Sequence, residues 1–581
     1  MIKCNLINYF IILKMEELNN YFQMSNATAE ELLNDVLKHE KQDNKIIVND
    51  NIFTDTNIYE WAKTKPATMG GVKIIEKIVK NPINDKKILL QRQSVNYQIP
   101  QYQLEILKNT EKDLLWIMTL KEEIDDNISI NLLFPSTIGI KYINYNKYSL
   151  NLFHLYKIIA LPCMSVIFPL SVVYTPYYYI NKHLKFNMSL IKYLTLLYEF
   201  MKIAFKLSGN LKVDITKIIT LFIYLGIYFY SIYQTFNVSY IIYKLREKLL
   251  NKLYGLIEFI KTSITIIKSS KDSWKPFFLY SIPDSILNLS INNLEKLDYD
   301  ISSIYKLWKN ETYRYDIINL LKIIYTIDNV NFISKLKNSD KWCIPTYDNT
   351  ITKIWDANNP ILSSSQVANP INLSKNIIIT GVNAGGKTTY VKSITINVIL
   401  AQTLGIINAV KGNIYLYDAI SSFMRITDEL GSKSYFEAET SYCNEMIKIA
   451  ENLQKEKKRG LFLMDEPMHS TPPIEGVAVA FSVAEYLANI KGVTLIITTH
   501  FHNLMELEAK YKNLFINLSV NATYNDKTKN YDFNYKINKG GSKQIIAIEL
   551  LEKNKFNKNI INSAIEIKNK LYNESLRNVD T

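Results

Sequence analysis

Two stretches of the chain carry no charged side chain: residues 158–181 and residues 218–243. Each is long enough to cross a bilayer as a helix. The second holds thirteen Ile, Leu, Phe and Val residues. Each of these favours insertion by about 0.3–0.6 kcal/mol, against a smaller cost for Gln234 and Asn237. The first contains Pro162, Pro169 and Pro176, which membrane helices tolerate better than soluble ones. Between them, residues 188–207 read as an amphipathic basic helix with Lys192, Lys202 and Lys206, suited to a lipid surface. The pattern predicts a two-span membrane hairpin over 158–243; the competing reading is a pair of helices buried in a large helical core. Two crossings return the chain to its starting side. Lysines flank the pair and fill the connection, so charge does not set an orientation.

Elsewhere the pattern separates a helical part from an α/β part. Residues 1–60 form a polar lead-in with a helical pattern between Ala29 and Lys41. Its short apolar run ends at Lys14, Glu16 and Glu17 with no small-residue cleavage site, so no signal peptide is expected. Within residues 61–157, apolar positions Val72, Ile75 and Val79, then Ile88 and Leu89, predict two short amphipathic helices broken at Pro82. Residues 244–340 are helical again. From 341 to 565, apolar runs at 377–379, 461–464 and 493–499 alternate with helical segments, which implies a largely parallel sheet covered on both faces. A basic tail, 566–581, follows. The expected fold class is multidomain, α and α/β.

Lys and Arg exceed Asp and Glu by 68 − 55 = 13. That surplus suits a nucleic-acid or anionic membrane partner, and compositional drift toward Lys and Asn would produce it equally. The four cysteines lie far apart without a CxxC pair, and the six histidines show no HExxH spacing. Both observations argue against a disulfide framework or a zinc ribbon and fit a reducing compartment.

The chemistry concentrates after residue 376. GVNAGGKT, residues 381–388, follows the strand-like run 377–379 and precedes a helical segment. Gly381, Gly385 and Gly386 let backbone N–H groups turn toward an anion, and the helix start adds its positive dipole end. Lys387 then reaches the β- and γ-phosphates of a nucleotide, while Thr388 is placed to ligate Mg2+. A buried strand, 461–464, delivers Asp465 to the metal and Glu466 to the attacking water. His500 ends another strand, where an imidazole can contact the γ-phosphate; His502 reads as structural. In residues 426–440 a polar turn with Gly431 and Ser434 precedes a helix near Tyr435. It suits either phosphate binding or a simple helix cap.

Together these elements resemble the MutS family of DNA mismatch-repair ATPases, a branch of the ABC-type ATPases. GVNAGGKTT is similar to the family's glycine loop: Asn383, Gly386, Lys387 and Thr388 match, and Val382 and Ala384 depart from it. ITDELGSKSYFEAE looks like the signature segment, and TTHFHNL like the threonine–histidine switch of Thr499 and His500. TMGG with NPINDKKILLQRQ resembles the start of the family's core domain, and IDNVNFISKL its lever. VANPINL sits where the family has its adenine-side loop, and YKINKGGSKQIIAIELL resembles the closing segment.

The resemblance implies an ATPase domain over 341–565 and a helical core split into 61–157 and 244–340. It also implies ATP and Mg2+, DNA as partner, and a homodimer or a pair with a related subunit. The implied nucleotide-binding set is Gly381, Asn383, Gly385, Gly386, Lys387, Thr388, Thr389 and, from the opposite subunit, Ser434. Thr388 and Asp465 serve the metal; Glu466, His500 and Lys387 serve catalysis. Three departures stand out. The loop PMHSTPPIEG matches only at Thr471 and Gly476, and Pro472 and Pro473 stiffen it. The segment before the core is too short for the family's mismatch-reading domain and holds no Phe-x-Glu wedge. The uncharged spans lie where the family has core helices and its DNA clamp. Two readings therefore emerge. One is a MutS-like, DNA-binding ATPase acting in mismatch repair or recombination, soluble on DNA. The other is a membrane-associated ATPase, its catalytic domain on the cytoplasmic side, moving a lipid-embedded hairpin.

Overall fold

A computed structural model describes residues 19–38, 46–119, 126–135, 137, 139–204, 206, 210–348, 350–362, 365–382, 384–424, 435–469, 472–525, 530–544, 548–549, 551 and 556–577. The chain divides into two compact units. One comprises Met1–Val36, Glu105–Ile264 and Pro283–Leu320; the other comprises Leu37–Leu104, Thr265–Ile282 and Leu321–Thr581.

In chain order the first elements are α1 (Asn26–Val36), β1 (Ile47–Val48), α2 (Asn51–Thr56), α3 (Ile58–Lys63), α4 (Met69–Lys80), α5 (Lys86–Ser94) and α6 (Gln101–Thr119). Helices α7 (Asp126–Leu132), α8 (Lys147–Leu155), α9 (Leu161–Lys182), α10 (Leu190–Ala204) and α11 (Leu211–Ser270) follow. Then come α12 (Asp284–Leu294), α13 (Ile301–Lys309) and α14 (Glu311–Lys337). The α/β part runs β2 (Thr346–Asp348), β3 (Lys353–Ala357), β4 (Asn369–Asn372), β5 (Asn376–Gly381), α15 (Lys387–Thr403), β6 (Lys411–Tyr415) and β7 (Ala419–Phe423). It ends with α16 (Tyr435–Lys455), β8 (Gly460–Asp465), α17 (Pro473–Asn489), β9 (Val493–Thr498), α18 (Glu506–Lys510), β10 (Phe515–Asn525), β11 (Asn530–Lys539) and α19 (Lys558–Arg577).

The first unit is helical among its described residues. Both uncharged stretches are helical, as the pattern predicts, and each lies within a longer continuous helix, Lys147–Lys182 and Leu211–Ser270. A π-turn at Tyr156–Ala160 joins α8 to α9, and α11 runs for 60 residues. The Tyr228 hydroxyl donates to the carbonyls of Ser165 and Val166 at 3.3 and 3.2 Å. Ser239 Oγ donates to the Lys157 carbonyl at 2.9 Å. Because 157 faces 239 and 165 faces 228, the two helices run antiparallel as a hairpin. Within the basic helix read over 188–207, Leu190–Ala204 form α10, and Lys206 falls outside it.

The second unit is built on a seven-stranded sheet of order β1-β7-β8-β9-β5-β10-β11. All its pairings are parallel except β10 with β11. A four-stranded sheet, β2-β6-β3-β4, lies in the same unit. Strand β5 is buried along its whole length, as an apolar run covered on both faces requires. Phe462, Met464, Leu495, Ile497 and Phe515 pack with Ala480, Ala484 and Leu487 of α17 into one core.

Part of the expected lead-in, residues 1–60, belongs instead to the second unit. Ile47 and Val48 pair with Ala419 and Ile420 as the edge strand of the large sheet, and Ser422 Oγ donates to the buried Asp55 at 3.3 Å. A two-residue strand is too short to show a period, so its role was hidden. The boundary drawn at 566 also falls inside α19.

Two distant segments meet in this unit. Helix α4 is capped by Thr68, whose side chain accepts from Gly71 N. Buried Asp328 of α14 accepts from Ala67 N, Thr68 N and Thr68 Oγ1 at 3.0, 2.9 and 2.7 Å. A Cβ on Gly70 would stand 2.0 Å from the Tyr325 ring. TMGG is therefore the close-approach surface for α14. Lys337, near the end of α14, donates to the carbonyls of Arg92, Gln93 and Val95 at 2.9, 3.1 and 2.6 Å. It thereby caps the C-terminus of α5, whose last carbonyls have no helical partner.

Candidate functional site

The C-terminal ends of β5, β8 and β9 lie side by side, because β9 is hydrogen-bonded to both neighbours. Each delivers chemistry at that edge. From β5 the chain turns through Gly381 (φ +130°), Ala384 (φ 62°) and Gly386 (φ 98°) before α15 begins at Lys387. Gly381 has a second constraint: a Cβ there would stand 2.1 Å from the Val520 carbonyl oxygen. Gly385 N donates to the Val382 carbonyl at 3.2 Å, closing the turn.

Lys387 is buried, and its Nζ donates to the carbonyls of Gly381 and Val382 at 3.1 and 3.4 Å. Burial lowers its pKa, with Glu466 and Asp465 pulling the other way. The loop thus folds back over its own ammonium group. Thr388 Oγ1 donates to Asp465 Oδ2 at 2.8 Å, and Thr498 Oγ1 also donates to that carboxylate. Burial raises the Asp465 pKa, opposed by these two hydroxyls. A hydroxyl and a carboxylate in contact, both oxygen donors, suit a hard cation such as Mg2+.

Glu466 follows β8 in the left-handed region, φ 53°. Such a conformation is costly for a side chain with a Cβ and recurs where a group must be aimed. Its amide donates to the Thr498 carbonyl at 2.9 Å. Its Oε1 lies 2.6 Å from His500 Nε2 and 3.8 Å from Lys387 Nζ. The hydrogen bond from His500 lowers the Glu466 pKa; burial opposes it, and the charge of Lys387 adds to it. The sequence reading thus has its ammonium, its two carboxylates and its imidazole within one hydrogen-bonded cluster. His502 lies on the 3-10 turn His502–Met505 beyond that cluster.

A cavity of about 430 Å³ opens over the loop. Gly385, Gly386, Lys387, Thr388, Thr389 and Glu466 line it. A hollow of about 900 Å³ beside Arg92 in the same unit is larger but has neither glycine loop nor carboxylate pair at its wall. Two lining residues, Tyr535 and Asn369, were missed as site residues. Asn369 clamps β11 to β4: its Nδ2 donates to the Tyr535 carbonyl and its Oδ1 accepts from Ile537 N, both at 2.9 Å. Tyr535 has φ 53° and stacks on Phe533 at 6.1 Å between centroids. VANPINL and YKINKGG were both recognised as segments, yet nothing in either marks a ring facing the loop. Asn383 and Ser434 lie outside the described residues; α16 begins at Tyr435, where the sequence predicted a helix. Among the described residues no cluster of three or more His, Cys, Asp or Glu could hold a metal by itself.

Residues 377–572 match the family model of MutS domain V. The chain is similar to the DNA mismatch repair protein MutS of Microcystis aeruginosa, 26% identical over 280 residues, covering 46% of this chain and 31% of that protein. The MutS of Acholeplasma laidlawii is 29% identical over 239 residues (40% and 28%). That of Fusobacterium nucleatum is 28% identical over 292 residues (48% and 31%). The matched part thus spans about a third of the length of these curated relatives.

Proposed function

We propose, from the match of residues 377–572 to MutS domain V and the likeness to MutS proteins, that this chain is a MutS-family protein that binds ATP with Mg2+ and hydrolyses it in a DNA-dependent cycle. One observation carries the reading: Lys387, Thr388, Asp465, Glu466 and His500, from three different strand ends, converge beneath the glycine loop. The glycine-loop amides and Lys387 hold the triphosphate, exchanging the loop carbonyls that now hold the ammonium for phosphate oxygens. Asn383 and Thr389 complete the cradle. Thr388 and Asp465 hold the magnesium ion, which neutralises charge on the phosphates. The base occupies the side of the cavity walled by Asn369 and Tyr535.

Glu466 accepts a proton from water as the water oxygen bonds to the γ-phosphorus. The bond from that phosphorus to the β–γ bridging oxygen breaks, leaving ADP and inorganic phosphate. His500 holds the Glu466 carboxylate in place and contacts the γ-phosphate. Ser434 of a second copy, or of a related subunit, closes the site from across a dimer, so turnover is tied to assembly. The chain's excess of thirteen basic over acidic groups suits contacts to the DNA phosphate backbone, which read no base sequence.

The test is ATP turnover by the purified full chain with and without duplex, mismatched and branched DNA, alongside Lys387→Ala. Turnover that vanishes in the variant and rises with one DNA form is the expected result. A variant that binds and turns over ATP like the parent would overturn the nucleotide assignment. Parent turnover indifferent to every DNA form would overturn the DNA role alone.

A further inference from the structure

We propose that the α9–α11 hairpin is embedded in a phospholipid bilayer, so that this MutS-type ATPase works from a membrane surface. The observations are independent of the nucleotide site. The charge-free run of α11, residues 218–243, is 26 residues, about 39 Å as a helix. The other run, residues 158–181 across the end of the π-turn and α9, is 24 residues, about 36 Å. A bilayer's hydrocarbon core is about 30 Å thick, and the excess falls in the interfacial zones. Lysines bracket both runs: Lys157 and Lys182 for α9, Lys217 and Lys244 for α11. Long ammonium side chains at helix ends reach out to headgroups.

The distribution of apolar groups around each helix chooses lipid over a protein partner. A second copy of the chain would cover one stripe of a helix and leave the opposite face polar. Here Leu221, Phe222, Ile223, Tyr224 and Leu225 are all exposed in succession. At 100° per residue these five sample the whole circumference. Helix α9 does the same with Val166, Ile167, Phe168, Pro169 and Leu170, exposed in succession. Only a solvent that is apolar on every side satisfies such a surface.

The polar groups inside the spans agree. Ser171 and Thr175 donate to the carbonyls of Phe168 and Ser171, each at 2.7 Å. Thr220 and Thr235 donate to Thr216 and Ser231, at 2.7 and 2.8 Å. Tyr228 and Ser239 bridge to the facing helix. These hydroxyls ask nothing of water, as hydrocarbon requires. Pro169 and Pro176 lie inside α9, a position that costs a soluble helix about 3 kcal/mol and a membrane helix less. An apolar crevice of about 610 Å³, lined by Phe134, Leu152, Phe153 and Tyr156, lies beside the Lys157 end.

The experiment is flotation of the full chain, reconstituted from detergent, with vesicles of phosphatidylcholine and phosphatidylglycerol. The protein is expected to float and to stay with the vesicles through high salt and alkaline carbonate. Ile223 and Ile227 are exposed and are not among the residues that line the nucleotide cavity. The double variant Ile223→Asp, Ile227→Asp is therefore expected to keep fluorescent-ATP binding while its floated fraction falls at least about tenfold. Three results would overturn the proposal: a parent chain left at the bottom of the gradient, one stripped by carbonate, or a double variant that floats like the parent. A detergent-free, monodisperse oligomer in light scattering would do so too, assigning the surface to a second copy. ATP binding, read in the same samples, reports separately on the nucleotide site.

Discussion

Replacing Glu466 by Gln keeps the side-chain volume and removes one charge, which separates catalysis from binding. The carboxylate sits 3.8 Å from the Lys387 ammonium. Two unit charges at that distance attract by about 4 kcal/mol at an effective dielectric constant of about 20. Glu466 is 31% exposed, and solvent screening leaves about 1 kcal/mol of that in practice. This is what ATP must displace when Lys387 turns from the carboxylate to phosphate. Glu466→Gln removes that competitor, so ATP affinity should hold or tighten by up to about fivefold. Hydrolysis loses its proton acceptor and should slow by about 10²- to 10³-fold.

Equilibrium binding of a fluorescent ATP analogue and single-turnover phosphate release, on the same preparation, read the two quantities separately. The pH profile adds a sign. The hydrogen bond from His500 places the Glu466 pKa below its ordinary 4.5, so the carboxylate is ionised throughout the neutral range. The acid limb of turnover should therefore lie below that value and move up in His500→Ala. Weakened ATP binding with unchanged turnover in Glu466→Gln would refute the reasoning, because it would make Glu466 a phosphate-side ligand and not the proton acceptor.

Two further predictions concern the scaffold. Asp328→Ala leaves Ala67 N, Thr68 N and Thr68 Oγ1 without their buried acceptor. It should destabilise the second unit by about 3 kcal/mol, read as faster amide exchange across α4 and α14 by mass spectrometry. Lys337, which caps α5, has its pKa lowered by burial from 10.5 to about 8. Between those values the folded chain binds fewer protons than the unfolded one, so stability rises with pH there. The lysine's contribution is full above 10.5 and is lost as pH falls through about 8; Lys337→Met should flatten this dependence in the exchange of α5 amides.

The sequence alone determined whatever depends on neighbours a few residues apart. The order of strand, glycine loop and helix is written in 377–388, because β5 is an apolar run and the turn needs positive φ at Gly381 and Gly386. The two uncharged helices were equally plain, since length without charge is a local property. So was the helix starting at Tyr435. Tertiary structure decided which strand ends are neighbours. The order β8-β9-β5 puts Asp465 and His500 beside Lys387, although up to 113 residues separate these groups. The contact of TMGG with Asp328 spans some 260 residues, and Ile47–Val48 became a strand only because β7 had a free edge to pair. Tyr535 joined the cavity wall for the same reason. Its ring is placed by a clamp from Asn369, 166 residues away. Periodicity reports which face of an element is apolar; it is silent on which other face it will meet, since that is fixed by packing of the whole unit.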